Sequence, residues 1–171
     1  LIDMCTGSGC VGISIAKNSN IKFGFLVDVS KEALEVARKN IILNEVGNKV
    51  CILKSNLFDE FEGIQENKYD IIVSNPPYIK TSVIKTLDKN VQNEPILALD
   101  GGKDGLQVYR KIFEQSKKVL KTNGYLMLEI GYDQLEQITK IINKDENYEL
   151  IESVKDLGGN DRVIVCRFLQ K

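Results

Sequence analysis

Short apolar runs alternate along this chain with stretches of helical periodicity. Residues 2–4 read as the end of a first strand whose beginning is missing, and residues 21–27 as a second. Ser30 is a favourable N-cap, and after it Leu34, Ala37 and Ile41 recur at the three-to-four spacing of an amphipathic helix. Residues 50–53 and 69–73 predict strands three and four. A long helix is predicted over 105–121, with Leu106, Tyr109, Phe113 and Leu120 turned inward. Lys117, Lys118 and Lys121 would complement its C-terminal dipole, and Asn123-Gly124 would stop it. Strand five follows at 125–130, then a helix burying Leu135, Ile138 and Ile142. Residues 148–154 and 163–169 flank a turn-rich stretch too short for a helix, so they are expected to pair antiparallel.

Strand–helix alternation through five strands implies a parallel sheet covered on both faces. The expected fold is therefore α/β and Rossmann-like, with a seven-stranded, mostly parallel sheet ending in an antiparallel hairpin. Residues 1–171 form one domain in this reading. Residues 75–104 lack periodicity. Directly after strand four, they fall at the carboxyl edge of the sheet, where such folds bind ligands.

Composition narrows the chemistry mainly by exclusion. The chain has 171 residues, 43% hydrophobic and 27% charged, with a formal net charge of -1, so no global basic field grips phosphates. No apolar run reaches the ~18 residues of a membrane span, and no signal peptide opens the chain. There is no histidine, and Cys5, Cys10, Cys51 and Cys166 form no C-x-x-C. That argues against a metal site and against Ser-His or Cys-His catalysis. The scattered thiols read as core fillers in a reducing cytoplasm. A monomer is expected.

Two segments carry candidate chemistry. Residues 1–12 follow a strand and open a helix, and Gly7-Ser8-Gly9-Cys10-Val11-Gly12 matches a dinucleotide fingerprint formally. Asp28, ending the second strand, can accept both hydroxyl hydrogens of a ribose. Asp3 could either order the loop or meet the cationic amino group of a methionine moiety, and it would repel a pyrophosphate. That favours S-adenosylmethionine over a nicotinamide cofactor. The second segment is Asn75-Pro76-Pro77-Tyr78, at the tip of strand four. Its prolines fix φ and remove two donors. The Asn75 side-chain oxygen and Pro76 carbonyl could each accept a hydrogen from a target NH2, against the flat face of Tyr78.

These motifs resemble the seven-stranded class I methyltransferases, and within them the release factor glutamine methyltransferases. The similarity extends through Ile79, Glu94-Pro95, residues 98–106, Tyr109-Arg110, residues 128–131, and Asp156, Leu157, Gly159, Asn160, Asp161 and Arg162. The resemblance implies methyl transfer from S-adenosyl-L-methionine to the glutamine amide in the Gly-Gly-Gln loop of peptide chain release factors. It implies that Thr6, Gly7, Ser8 and Gly9, with Cys5 and Asp3 beside them, cradle the methionine part. Asp28 would hold the ribose, and Asn56 and Leu57 would border the adenine. Asn75 would touch both the cofactor and the substrate amide; Asn75, Pro76 and Tyr78 would be the catalytic residues, and Pro77 would complete the substrate pocket with them. Cys5 and Asn93 depart from the pattern, replacing a usual glycine and a usual aromatic residue. The family's helical domain is expected to precede this chain. The alternatives are an adenine or guanine amine methyltransferase served by Lys80, Lys85 and Lys89, an NAD(P)-dependent oxidoreductase, and a non-catalytic scaffold.

Overall fold

The computed structural model describes residues 1–61 and 69–171. Apolar stretches that alternate with helices become strands β1 (Ile2–Met4), β2 (Gly24–Asp28), β3 (Val50–Lys54), β4 (Tyr69–Ser74) and β5 (Leu120–Glu129). The last two, β6 (Tyr148–Lys155) and β7 (Asp161–Phe168), form the expected antiparallel hairpin. All seven make one sheet in the order β3-β2-β1-β4-β5-β7-β6. Pairing is parallel from β3 to β5 and antiparallel beyond it. The helices are α1 (Cys10–Asn18), α2 (Lys31–Leu43), α3 (Lys89–Gln92), α4 (Ile96–Leu99), α5 (Gln107–Ser116) and α6 (Leu135–Asn143). None of those described is long and apolar enough to cross a membrane.

Two apolar clusters hold the layers together. One joins Ile13 and Ala16 of α1 and Ala37 and Ile41 of α2 to Leu26 and Val50 of the sheet. The other packs Tyr109, Ile112 and Phe113 of α5 and Ile138 and Ile142 of α6 against Ile2, Met4, Ile72, Leu126, Leu128 and Ile164. Burial of a large aliphatic or aromatic side chain contributes roughly 1.5–3 kcal/mol, so these stripes decide which helix faces turn inward. Ser30 caps α2 as expected, its hydroxyl accepting from the Ala33 amide at 3.1 Å.

Four expectations are corrected. The helix over 105–121 is shorter: α5 stops at Ser116, whose hydroxyl turns back onto the Ile112 carbonyl and meets the Tyr148 hydroxyl at 2.7 Å. Leu120 is fully buried, but as the first residue of β5. Asn123, with φ 64°, lies inside that strand at a register shift against β4 and stops no helix. The second strand starts at Gly24, three residues later than the apolar run suggests. Residues 75–104 contain the short helices α3 and α4 and are closed at their base by an Ile79–Asp100 bridge. Finally, Cys166 is a core filler, whereas Cys10 is exposed at the start of α1.

Tyr148 is 5% exposed and lies edge-on to Phe113, with ring centroids 5.2 Å apart. Tyr148→Phe should keep that packing and leave the Ser116 hydroxyl its helix carbonyl. The expected loss is about 1 kcal/mol, read as a lower urea midpoint at unchanged slope.

Candidate active site

The sheet register gathers the candidate residues along one edge. Met4 pairs with Val27 on one side and with Ser74 on the other, and Ser74 pairs with Leu128. The next residue on each strand is Cys5, Asp28, Asn75 or Glu129. These four occupy neighbouring rows at the carboxyl edge, with a strand spacing of about 4.8 Å. Strand order reverses at β1, so this edge is the topological switch point.

Asp3 sets the loop below that edge. It is 1% exposed, and its Oδ2 accepts from the Thr6 hydroxyl at 2.6 Å and the Gly12 amide at 2.8 Å. Of the two roles open in the sequence, these contacts are those of ordering the loop. A Cβ on Gly12 would stand 2.3 Å from Leu26 Cδ2 and 2.8 Å from Asp3 Oδ2, so no larger residue fits there. The Thr6 amide donates to the Val27 carbonyl, and the Gly9 amide donates to the Thr6 carbonyl, opening α1. Cys5 adopts φ 57°, a left-handed conformation costing a non-glycine residue roughly 1–2 kcal/mol. Such a backbone suits glycine better than a residue with a side chain. Burial, reinforced by the Asp28 charge and opposed by a Ser74 hydrogen bond, pushes the Cys5 thiol up to about 12. The thiol is therefore neutral.

Asp28 is half-buried. Its Oδ2 accepts from the Gly7 amide and its Oδ1 from the Ser30 amide, both at 2.9 Å. A carboxylate has about four acceptor positions, so two remain for ribose hydroxyls. At Gly7, with φ 55°, no atom lies within 4 Å of where a Cβ would be, so the loop is open to a ligand there. Ser8 is half-buried, with its hydroxyl 3.1 Å from the Cys10 sulfur and its carbonyl held by Asn40. Asn56 is exposed beyond β3 and bonds Asp59, whereas the Leu57 side chain packs into the core. Open loop backbone and a carboxylate with spare acceptors fit an adenosine-type cofactor.

The Ser74 hydroxyl ties the tip of β4 to the Met4 carbonyl at 2.6 Å. Asn75 is exposed, and its side chain makes no hydrogen bond among the described residues. Pro76 is buried, while Pro77 and Tyr78 are half-buried. The Tyr78 hydroxyl donates to Glu129 Oε1 at 3.3 Å, and Tyr109 donates to the Glu129 carbonyl at 2.7 Å. Burial first, then the Glu129 charge, raises the Tyr78 phenol, so it stays neutral. Arg162 stands nearby, fixed by Asp156 and the Ile130 carbonyl. Sequence reasoning assigned no role to Glu129 and missed Gln134, which is 3% exposed and donates to the Tyr78 carbonyl at 3.0 Å. A cavity of about 800 Å³ opens at the opposite edge, between Leu1, Phe23, Phe25, Tyr69 and Lys121; no candidate residue lines it.

Residues 1–88 match the family model of the methyltransferase small domain, spanning both the glycine loop and Asn75-Pro76-Pro77-Tyr78. The chain belongs to that family. Among curated relatives of this methyltransferase small domain, the release factor glutamine methyltransferase of Agrobacterium fabrum is 40% identical over 168 residues. The match covers 98% of this chain and 56% of the relative. The release factor glutamine methyltransferase of Thermodesulfovibrio yellowstonii is also 40% identical over 168 residues, covering 98% and 58%. The chain thus spans little more than half the length of these relatives. The crystal structure of a ribosomal protein L11 methylase from Lactobacillus delbrueckii subsp. bulgaricus superposes with a TM-score of 0.69 at 18% identity. It covers 98% of this chain and 69% of that one, a likeness of fold.

Asp3 supplies a pH test of this methyltransferase small domain. Burial outweighs the Thr6 and Gly12 hydrogen bonds and, with the Asp28 charge, pushes its carboxyl from 3.8 to about 6. The folded chain then binds this proton more tightly than the unfolded chain. Stability from the group is full below pH 3.8 and is lost as the pH rises through about 6. The loss is about 3 kcal/mol. Asp3→Asn keeps an acceptor and cannot ionise. Urea melts of the parent and the variant should therefore diverge across this window, the parent losing stability relative to Asp3→Asn. Parallel curves would show that Asp3 does not titrate there.

Proposed function

We propose that residues 1–171 act as the catalytic domain of an S-adenosyl-L-methionine-dependent methyltransferase that modifies the glutamine side-chain amide in the Gly-Gly-Gln motif of peptide chain release factors. The observation that carries this reading is the exposed, uncommitted Asn75 side chain, one strand away from Cys5 and two from Asp28. The relatives named release factor glutamine methyltransferases support the choice of acceptor. On this assignment Gly7, Ser8 and Gly9 border the methionine part, Asp28 accepts from the ribose, and Asn56 lies towards the adenine. Asp3 acts beneath them, through Thr6 and Gly12. When bound, S-adenosyl-L-methionine supplies an electrophilic methyl group on a sulfonium.

An amide nitrogen is a poor nucleophile because its lone pair is delocalised into the carbonyl. Asn75 Oδ1 and the Pro76 carbonyl each accept one hydrogen of the target NH2 and turn the lone pair towards the cofactor side. As positive charge grows on nitrogen, both bonds strengthen, so they favour the transition state over the bound substrate. Tyr78, a neutral phenol, offers the flat face on which the planar amide lies. A neutral amide N–H is a very weak acid and the N-methylated cation a strong one, so proton loss follows attack and passes to an acceptor oxygen or to water.

Asn75→Ala removes one acceptor and leaves the Gly7–Asp28 side intact. Turnover should fall by ~10²–10³, while S-adenosyl-L-methionine affinity stays within about one order of magnitude. The assignment itself is tested with labelled methyl donor and two acceptors, a release factor and nucleic acid. Label on the release factor glutamine is the expected result. Label on exocyclic base amines, or on neither acceptor, would overturn it.

A further inference from the structure

Gln134 lies just ahead of α6, at the position that ordinarily caps a helix, yet its side chain caps nothing. Its amide is spent on three separate segments. Oε1 accepts from the Gly131 amide at 2.9 Å; Nε2 donates to the Tyr78 carbonyl at 3.0 Å and the Gly105 carbonyl at 3.3 Å. The partners fix which atom is oxygen, since an N–H faces one end and two carbonyls face the other. The fit is close. A Cβ on Gly105 would stand 2.5 Å from the Tyr78 oxygen and 2.8 Å from Gln134 Nε2.

The backbone of residues 75–78 makes this grip consequential. Pro76 and Pro77 have no N–H, so the stretch has few ways to bond to its surroundings. It is held at one end by the Ser74 hydroxyl on the Met4 carbonyl. At the other end the first carbonyl gripped is that of Tyr78, and Gln134 grips it. Just beyond, the Ile79 amide donates to the Leu99 carbonyl, and the Gly101 amide donates to Ile79.

We propose that Gln134 is a positioning residue for methyl transfer: it anchors the carbonyl of Tyr78 and so fixes Asn75, Pro76 and the Tyr78 ring relative to the cofactor edge. The proposal rests on the reading of Asn75–Tyr78 as the acceptor pocket. Gln134 touches neither reactant on this account. Its effect should therefore appear in turnover and not in cofactor binding, because Asp28 and the glycine loop hang from β1 and β2.

Two variants test this. Gln134→Met is close in volume but offers no donor and only a weakly accepting sulfur. Gln134→Glu keeps the acceptor for Gly131 and turns a carboxylate oxygen towards two carbonyls. Both should keep S-adenosyl-L-methionine affinity within about threefold while kcat falls by about 10²-fold, the scale of a ~1 Å misplacement. Gln134→Glu should recover relative to the parent as the pH falls, because the protonated carboxyl again pairs one donor with one acceptor. Gln134→Met should show no such recovery. Hydrogen exchange without substrate should quicken at the Ile79 and Gly101 amides in Gln134→Met.

Unchanged turnover in both variants would overturn the proposal. So would a rate loss matched by an equal loss of cofactor affinity, or failure of Gln134→Met to fold, since either makes Gln134 a structural residue. If the parent methylates no release factor, the functional reading fails by itself. Exchange at Ile79 and Gly101 then decides the anchoring, and unchanged exchange refutes it.

Discussion

The buried carboxylate of Asp3 is the constraint on which the glycine-loop edge of this molecule depends. One oxygen takes both the Thr6 hydroxyl and the Gly12 amide, joining the end of β1, the middle of the loop and the first turn of α1. With the loop pinned there, the Gly7 amide reaches Asp28, and Asp28 in turn holds the start of α2 through Ser30. The geometry costs stability twice, in the burial of an ionisable group and in the left-handed backbone of Cys5. Such costs concentrate where a surface has been shaped for binding.

Hydrophobic patterning made most of the fold legible. The apolar stripe of α2 is buried where its spacing puts it, as are Ile138 and Ile142 of α6 with Leu135 half-buried beside them, and the hairpin of β6 and β7 follows from the lack of room for a helix. The helix over 105–121 fails for a physical reason. Leu120 satisfies helical spacing and is fully buried, but a strand buries it equally well. Ser116, the last residue of α5, meets Tyr148, a partner 32 residues away that no local pattern reveals, and four residues later the chain is already in β5. The positive φ of Asn123 likewise belongs to a register shift against β4, which local sequence does not disclose.

The candidate site divides in the same way. Residues contiguous with a strand tip, such as Gly7, Asp28 and Asn75, were readable because strand ends at a switch point converge whatever else the chain does. Their supports were not. Gln134 is 56 positions from Tyr78 and Glu129 is 51, and neither sits in a pattern that declares its partner. The Leu57 side chain went the other way: its neighbour Asn56 is exposed at the edge, while Leu57 is drawn into the core. A motif read along the chain finds groups at the strand tips; only packing identifies those that hold them still.

Asp28 and the Asp3-pinned loop are proposed as the binding edge for S-adenosyl-L-methionine, and calorimetric titration probes that edge without needing turnover. One molecule should bind per chain, and Asp28→Ala should weaken binding by roughly 1.5–3 kcal/mol, the scale of hydrogen bonds to a charged group. Absence of binding to the parent, or equal affinity in the variant, would rule this edge out as the cofactor site.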